Sequence, residues 1–137
     1  MKINPNNLSY HTAVWYPIHI LTIVGLFYAS YNWWNLILAI IGWVLISGLG
    51  SAVGLHRMLS HRAVEPAPLL RNTISYLGAL ASQGSPIFWV ALHRGYHHRS
   101  ADQPRDIHSP IHGIWASYFG WTYGIKRDTI NLKYAVD

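Results

Sequence analysis

The sequence predicts an all-α integral membrane protein, in which a transmembrane helical hairpin leads into cytoplasmic and interfacial helices that carry histidine boxes. Three observations predict it. Charge is missing from the first part of the chain: between Lys2 and Arg57 there is no Asp, Glu, Lys or Arg. Two uncharged apolar runs fill that interval, each long enough to cross a hydrocarbon core of about 30 Å at about 1.5 Å per residue. Beyond them, five histidines (His56, His61, His93, His97 and His98) fall into two short clusters. At 137 residues the chain reads as a single domain.

The opening residues, Met1 to Ser9, are polar, and no small-residue cleavage pattern follows the first apolar run, which therefore reads as retained structure and not as a signal peptide. That run, residues 12–31, is the first expected transmembrane helix. Trp15 and Tyr16 sit near one end of it and Tyr28, Tyr31, Trp33 and Trp34 near the other, the placement of interfacial aromatic belts. Pro17 falls in the first turns, where a missing backbone donor matters least. After a short polar-aromatic turn, residues 36–55 return as the second expected span. Gly50 and Gly54 lie four apart in it and would let another helix approach closely. A two-span hairpin returns the chain to its starting side, so Arg57, Arg62, Arg94, Arg99 and Arg105 share one side, which the positive-inside bias makes cytoplasmic.

Residues 56–137 form the cytoplasmic and interfacial segment. Residues 62–68 make a proline-bearing loop. The apolar stretch 70–92 is interrupted by Arg71, Asn72, Gln83, Gly84, Ser85 and Pro86, so it reads as interfacial or re-entrant and not as a spanning helix. Residues 102–110 are a polar loop. Residues 111–125 are aromatic and expected at the membrane surface, and residues 126–137 begin what reads as a further helix.

The net charge of +5 fits a membrane surface better than nucleic acid, because the basic residues form no continuous run. The chain has no Cys, which excludes disulfides, thiolate metal sites and cysteine nucleophiles.

The histidine clusters carry the chemistry. On an α-helix each residue advances about 100°, so His93 and His97 lie about 40° apart on one face and suit a shared metal. On the same geometry His98 turns to a different quarter. His56 and His61 stand about 140° apart, so they either straddle two centres or mark a helix end. Imidazole serves Zn, Cu, Fe and Ni. The His-Glu-x-x-His zinc motif is absent, and a closed structural zinc site takes four ligands, usually with Cys. Nitrogen ligands in excess of that, at a membrane edge, point to a non-haem iron pair that activates oxygen. His11 reads as a structural histidine, and His19, within the first run, is not included in the site.

At these residues the sequence resembles the membrane fatty-acid desaturases, and within them the acyl-CoA group typified by stearoyl-CoA desaturase. Gly54-Leu-His56-Arg-Met-Leu-Ser-His61-Arg62 matches the first histidine box. Trp89-Val-Ala-Leu-His93-Arg-Gly-Tyr-His97-His98-Arg-Ser-Ala-Asp102 matches the second. Arg105-Asp-Ile-His108-Ser-Pro-Ile-His112-Gly and Phe119-Gly-Trp121 are similar to the segment that follows it. The resemblance implies a di-iron enzyme that uses O2 and two electrons to remove two hydrogens from a saturated acyl chain, carried on CoA or in a lipid. The implied product is a cis double bond, commonly at delta-9, and the implied electron donor is a ferredoxin or a b-type cytochrome. It further implies that His56, His61, His93, His97 and His98 ligate the two Fe ions, and that Gln83 and Trp89 line the acyl tunnel.

Three features depart from the family pattern. The second box has three residues between its first histidine and its histidine pair, where many members have two. Asp106-Ile-His108 stands for the usual Asp-Pro-His. The third box, His-x-x-His-His, is absent, together with the later membrane spans. The expectation is therefore an N-terminal portion whose metal set is incomplete by itself, with Asp102, Asp106, His108 and His112 as the remaining side chains able to contribute. Two alternatives stay open: a histidine-box membrane hydroxylase, and a non-catalytic shortened membrane protein that partners a full desaturase.

Overall fold

The computed structural model describes residues 4–101, 103–126, 128 and 130–136. Among the described residues the ordered backbone is helical and no strand occurs, in line with the expected all-α class. The helices are α1 (Pro5–Tyr10), α2 (Tyr16–Tyr28), α3 (Trp33–Trp43), α4 (Pro68–Ala79), α5 (Pro86–Leu92), α6 (His98–Ser100) and α7 (Trp121–Gly124). Wider helical turns occupy His11–Trp15, Val44–Ser60, His93–His97 and Ala116–Gly120, and short 3₁₀ turns occupy Pro110–His112 and Leu132–Ala135. In the wider turns the backbone bond runs from residue i to i+5, one residue further than in an α-helix. Contacts divide the chain into two units, residues 1–19 with 91–137 and residues 20–90.

In the unit of residues 20–90, α3 and the wide-turn helix Val44–Ser60 form one continuous helix, Trp33–Ser60, of 28 residues. It is long and apolar enough to cross a membrane and contains the expected span 36–55. Asn32 starts it by accepting the Asn35 N–H at 2.9 Å on its side chain, which satisfies one of the donors a helix start leaves open. The helix ends where Arg62 adopts φ 52. Its first half is exposed, with Trp33 at 79% and Leu38 at 64%. Its second half buries Gly50, Gly54, Leu55 and Met58 and packs on α4, which buries Ile74 and Gly78.

That packing depends on glycine. A Cβ at Gly50 would stand 2.5 Å from the Gly78 nitrogen and 2.6 Å from the Leu77 carbonyl carbon. One at Gly54 would meet Ile74 Cγ2 at 2.6 Å, and one at Gly78 would meet Leu55 Cγ at 2.6 Å. The pair expected to admit a close neighbour does admit one, and that neighbour is α4. The stretch 70–92 is broken as its composition requires: α4 ends at Ala79, Gly84 turns at φ 105, and α5 starts at Pro86. Ser85 Oγ accepts the Phe88 N–H at 3.2 Å at that start.

The expected first span is helical as far as Tyr28, and α2 buries none of its residues; Phe27 is 81% exposed and Leu21 68%.

In the unit of residues 1–19 and 91–137, α1 caps the end of α7. The Asn4 backbone N–H donates to Tyr123 O at 2.8 Å and its side chain to Ile125 O at 3.0 Å. Buried Asn7 donates to Thr122 O at 2.8 Å and also to Ile125 O. His11, fully buried, stacks on Tyr123 at 3.9 Å and has Nε2 3.2 Å from Thr122 O, a structural role as expected. The amides thus satisfy the carbonyls that a helix end leaves unpaired.

Substitution at the glycines should separate contact from propensity. Gly50→Ala forces backbone against backbone and should cost about 1–3 kcal/mol. Gly48→Ala, with nothing within 4 Å of its Cβ, should be neutral or stabilising by up to about 1 kcal/mol. Denaturant unfolding in a fixed detergent compares the two, and equal effects would contradict the packing described.

Candidate metal centre

In the unit of residues 20–90 the first cluster sits at the end of the long helix. The His61 N–H donates to His56 O at 3.0 Å, an i to i+5 bond. This winding turns the helix less per residue, so five steps bring the side chains back to one face. The two Nε2 atoms lie 2.9 Å apart and the rings 4.6 Å apart. The α-helical estimate of about 140° is thereby corrected: His56 and His61 converge. Two ring nitrogens at that separation are within hydrogen-bond distance, and the same convergence suits a common ion. Ser60 Oγ donates to Leu55 O at 2.7 Å and ties down the same turn.

Gln83 and Trp89 are brought together in this unit. The Trp89 indole N–H donates to Gln83 Oε1 at 2.8 Å. The Trp89 ring stands edge-on to His56, with centroids 6.4 Å apart.

The second cluster lies in the unit of residues 1–19 and 91–137. The His98 N–H donates to His93 O, again i to i+5. The rings of His93 and His97 are 4.9 Å apart and those of His93 and His98 4.5 Å apart. The rings of the adjacent His97 and His98 are 6.4 Å apart, while the wide turn brings His98 beside His93.

Behind His97 lies Asp106, which is fully buried. His97 Nδ1 is 2.8 Å from Asp106 Oδ2. Asp106 Oδ1 accepts the His108 backbone N–H at 3.2 Å and lies 3.6 Å from His108 Nε2. His112 Nε2 is 3.0 Å from the Asp106 carbonyl. Burial pushes the Asp106 carboxyl upward, but the His97 bond, the His108 amide and the neighbouring imidazoles outweigh it and hold the group below its usual value. The carboxylate is therefore ionised and can only accept, so Nδ1 of His97 carries the proton of this bond. Burial also lowers the His108 pKa, against the pull of Asp106.

A carboxylate that fixes the tautomer and orientation of an imidazole is the usual support of a metal-binding histidine. The imidazoles of each unit, with a carboxylate behind His97 in the second, suit a first-row transition metal. Of the additional side chains the sequence suggested, Asp106 and His108 form this support, His112 braces the Asp106 carbonyl, and Asp102 lies outside the described residues. The Tyr134 ring, which lies against Gly95, carries no signal in the sequence, because it stands far along the chain from the motif it touches.

The chain is similar to several curated proteins. It is 38% identical over 117 residues to the palmitoyl-monogalactosyldiacylglycerol delta-7 desaturase, chloroplastic, of Arabidopsis thaliana, covering 85% of this chain and 31% of that protein. It is 40% identical over 106 residues to delta-9 acyl-lipid desaturase 1 of the same plant, covering 77% and 33%. It is 35% identical over 121 residues to icosanoyl-CoA 5-desaturase of Limnanthes douglasii, covering 88% and 33%. The chain spans about a third of the length of these relatives. No family model matches the chain, and no solved structure matches it.

Replacing Asp106 by Ala should free the His97 ring and cost about 1.5–3 kcal/mol, the range for a hydrogen bond to a charged group. Nitrogen NMR of the imidazoles checks it directly: the Nδ1–H tautomer of His97 should give way to a mixture. An unchanged tautomer would contradict the role assigned to Asp106.

Proposed function

For a chain homologous to the acyl-lipid and acyl-CoA desaturases over most of its own length, we propose that it forms part of an O2-dependent acyl desaturase. The observation that carries the proposal is that both histidine clusters are closed by the same wide turn, in a sequence related to enzymes of that chemistry. In this reading His56, His61, His93, His97 and His98 hold two Fe ions, and further ligands come from outside these clusters. Bound iron supplies the activation of O2.

The chain's own residues provide the rest. Asp106 holds the His97 proton at Nδ1 and keeps Nε2 available. The Gln83–Trp89 bond fixes an indole beside His56, where it lines the path of an acyl chain. An unactivated methylene offers no polar handle, so its position must come from apolar packing. The overall reaction takes a saturated acyl chain, O2, two electrons and two protons to an alkene and two waters. The electrons come from a ferredoxin or a b-type cytochrome. The relatives act at positions 5, 7 and 9; for this chain we propose a cis double bond at delta-9, on a CoA-linked or lipid-linked chain.

The proposed setting is a membrane crossed at residues 12–31 and 36–55, with both boxes on the cytoplasmic side. The long apolar helix, the exposed apolar surface of α2 and the arginines around the boxes support it. Ile114 and Trp115, at 90% and 71% exposure, support interfacial contact by the stretch 111–125.

The test uses the complete protein carrying this segment, supplied with a saturated acyl substrate and an electron donor. Mass spectrometry should find an alkene product, and His97→Ala should abolish both iron binding and turnover. An alcohol product would favour hydroxylation, and activity retained in His97→Ala would sink the ligand assignment.

A further inference from the structure

The second box holds one residue more between its first histidine and its histidine pair than the pattern it resembles, and its backbone accommodates that residue. On an α-helix five steps would leave His98 about 140° from His93. Here the His98 amide bonds His93 O and the two rings lie 4.5 Å apart. The extra residue is taken up by a turn one residue wider, the usual form of a π-bulge.

A wide turn winds less favourably than an α turn and needs support. Three contacts supply it, all from the 3₁₀ turn Leu132–Ala135. The Tyr134 ring lies against the backbone of Gly95, where a Cβ would stand 2.5 Å from Cδ2, 2.9 Å from Cε2 and 3.3 Å from Cγ. Arg94 Nη1 donates to Tyr134 O at 3.3 Å and to Ala135 O at 3.5 Å. The Arg99 guanidinium sits 4.4 Å above the Tyr134 ring, within the range of a cation–π contact. Three of the box's non-histidine residues, Arg94, Gly95 and Arg99, therefore converge on one tyrosine about forty residues later.

We propose that Tyr134 is a positioning residue for the metal centre. Seated on Gly95 and gripped by Arg94 and Arg99, it holds the second box in its wide turn, so that the longer spacing still gathers His93, His97 and His98. The proposal rests on the preceding reading that these histidines are metal ligands. Glycine is required at 95 because any side chain there would displace the ring.

The test is made on the full chain in lipid nanodiscs, with cobalt(II) as the probe of the centre and amide hydrogen exchange as the probe of the turn. Tyr134→Ala should speed exchange at the His98 amide and weaken cobalt binding by about 10–100-fold, the range for loss of support behind a ligand. Tyr134→Phe keeps the ring and should behave as the parent. Deleting Gly95 restores two-residue spacing, which brings the three histidines to one face of an ordinary α-helix. In that background Tyr134→Ala should leave cobalt binding unchanged, a rescue that a merely structural role for Tyr134 would not produce. Cobalt binding that requires His97 but ignores Tyr134 overturns this proposal alone. Cobalt binding indifferent to His97→Ala overturns the ligand assignment beneath it.

Discussion

The backbone bond from residue i to i+5 is the constraint on which the rest of this protein depends. It joins His61 to His56 and His98 to His93, and in both places it decides which side chains face one another. An α-helix would separate each of these pairs by more than a quarter turn. The wider turn converges them, with Nε2 atoms 2.9 Å apart in the first cluster and rings 4.5 Å apart in the second. Local winding, more than the count of histidines, makes these clusters suitable for metal.

Such turns persist only where packing holds them. In the first cluster the support is the glycine face of the long helix, where Gly50, Gly54 and Gly78 let two backbones meet. A helix so close to its neighbour cannot shift register without a clash, and the first box sits at its end. In the second cluster Tyr134 lies against the turn at Gly95, and a buried carboxylate orients one ring. Asp106, fully buried, accepts from His97 and from the His108 amide, and burial makes those bonds expensive to lose. One box is thus steadied by close backbone packing, and the other by a tyrosine against its turn and a carboxylate behind His97.

Similarity to desaturases gives these clusters a chemical context that geometry by itself does not. Imidazole nitrogens serve several metals, and the reading as iron is part of the proposed function. The apolar surfaces fit the same context. α2 and the first half of the long helix expose aliphatic and aromatic side chains, as the proposed membrane setting requires.

Much of this was legible in the sequence. The absence of charge before Arg57, the length of the apolar run around residues 36–55 and the glycines spaced four apart fixed the helical class and the close packing, because solvation and size act residue by residue. Pro86 and Gly84 likewise ended a stretch too interrupted to be one helix. The two histidine clusters stood out through type and spacing. What the sequence did not determine was winding: the α-helical period sent His98 away from His93 and His61 away from His56, and the structure returned both. Nor did it reveal that Asp106 is wholly buried, or that Tyr134 rests on Gly95. Composition and period act along the chain and can be read from it, whereas the choice between an α turn and a wider one is made by contacts from residues distant in sequence, which only the tertiary structure brings into place.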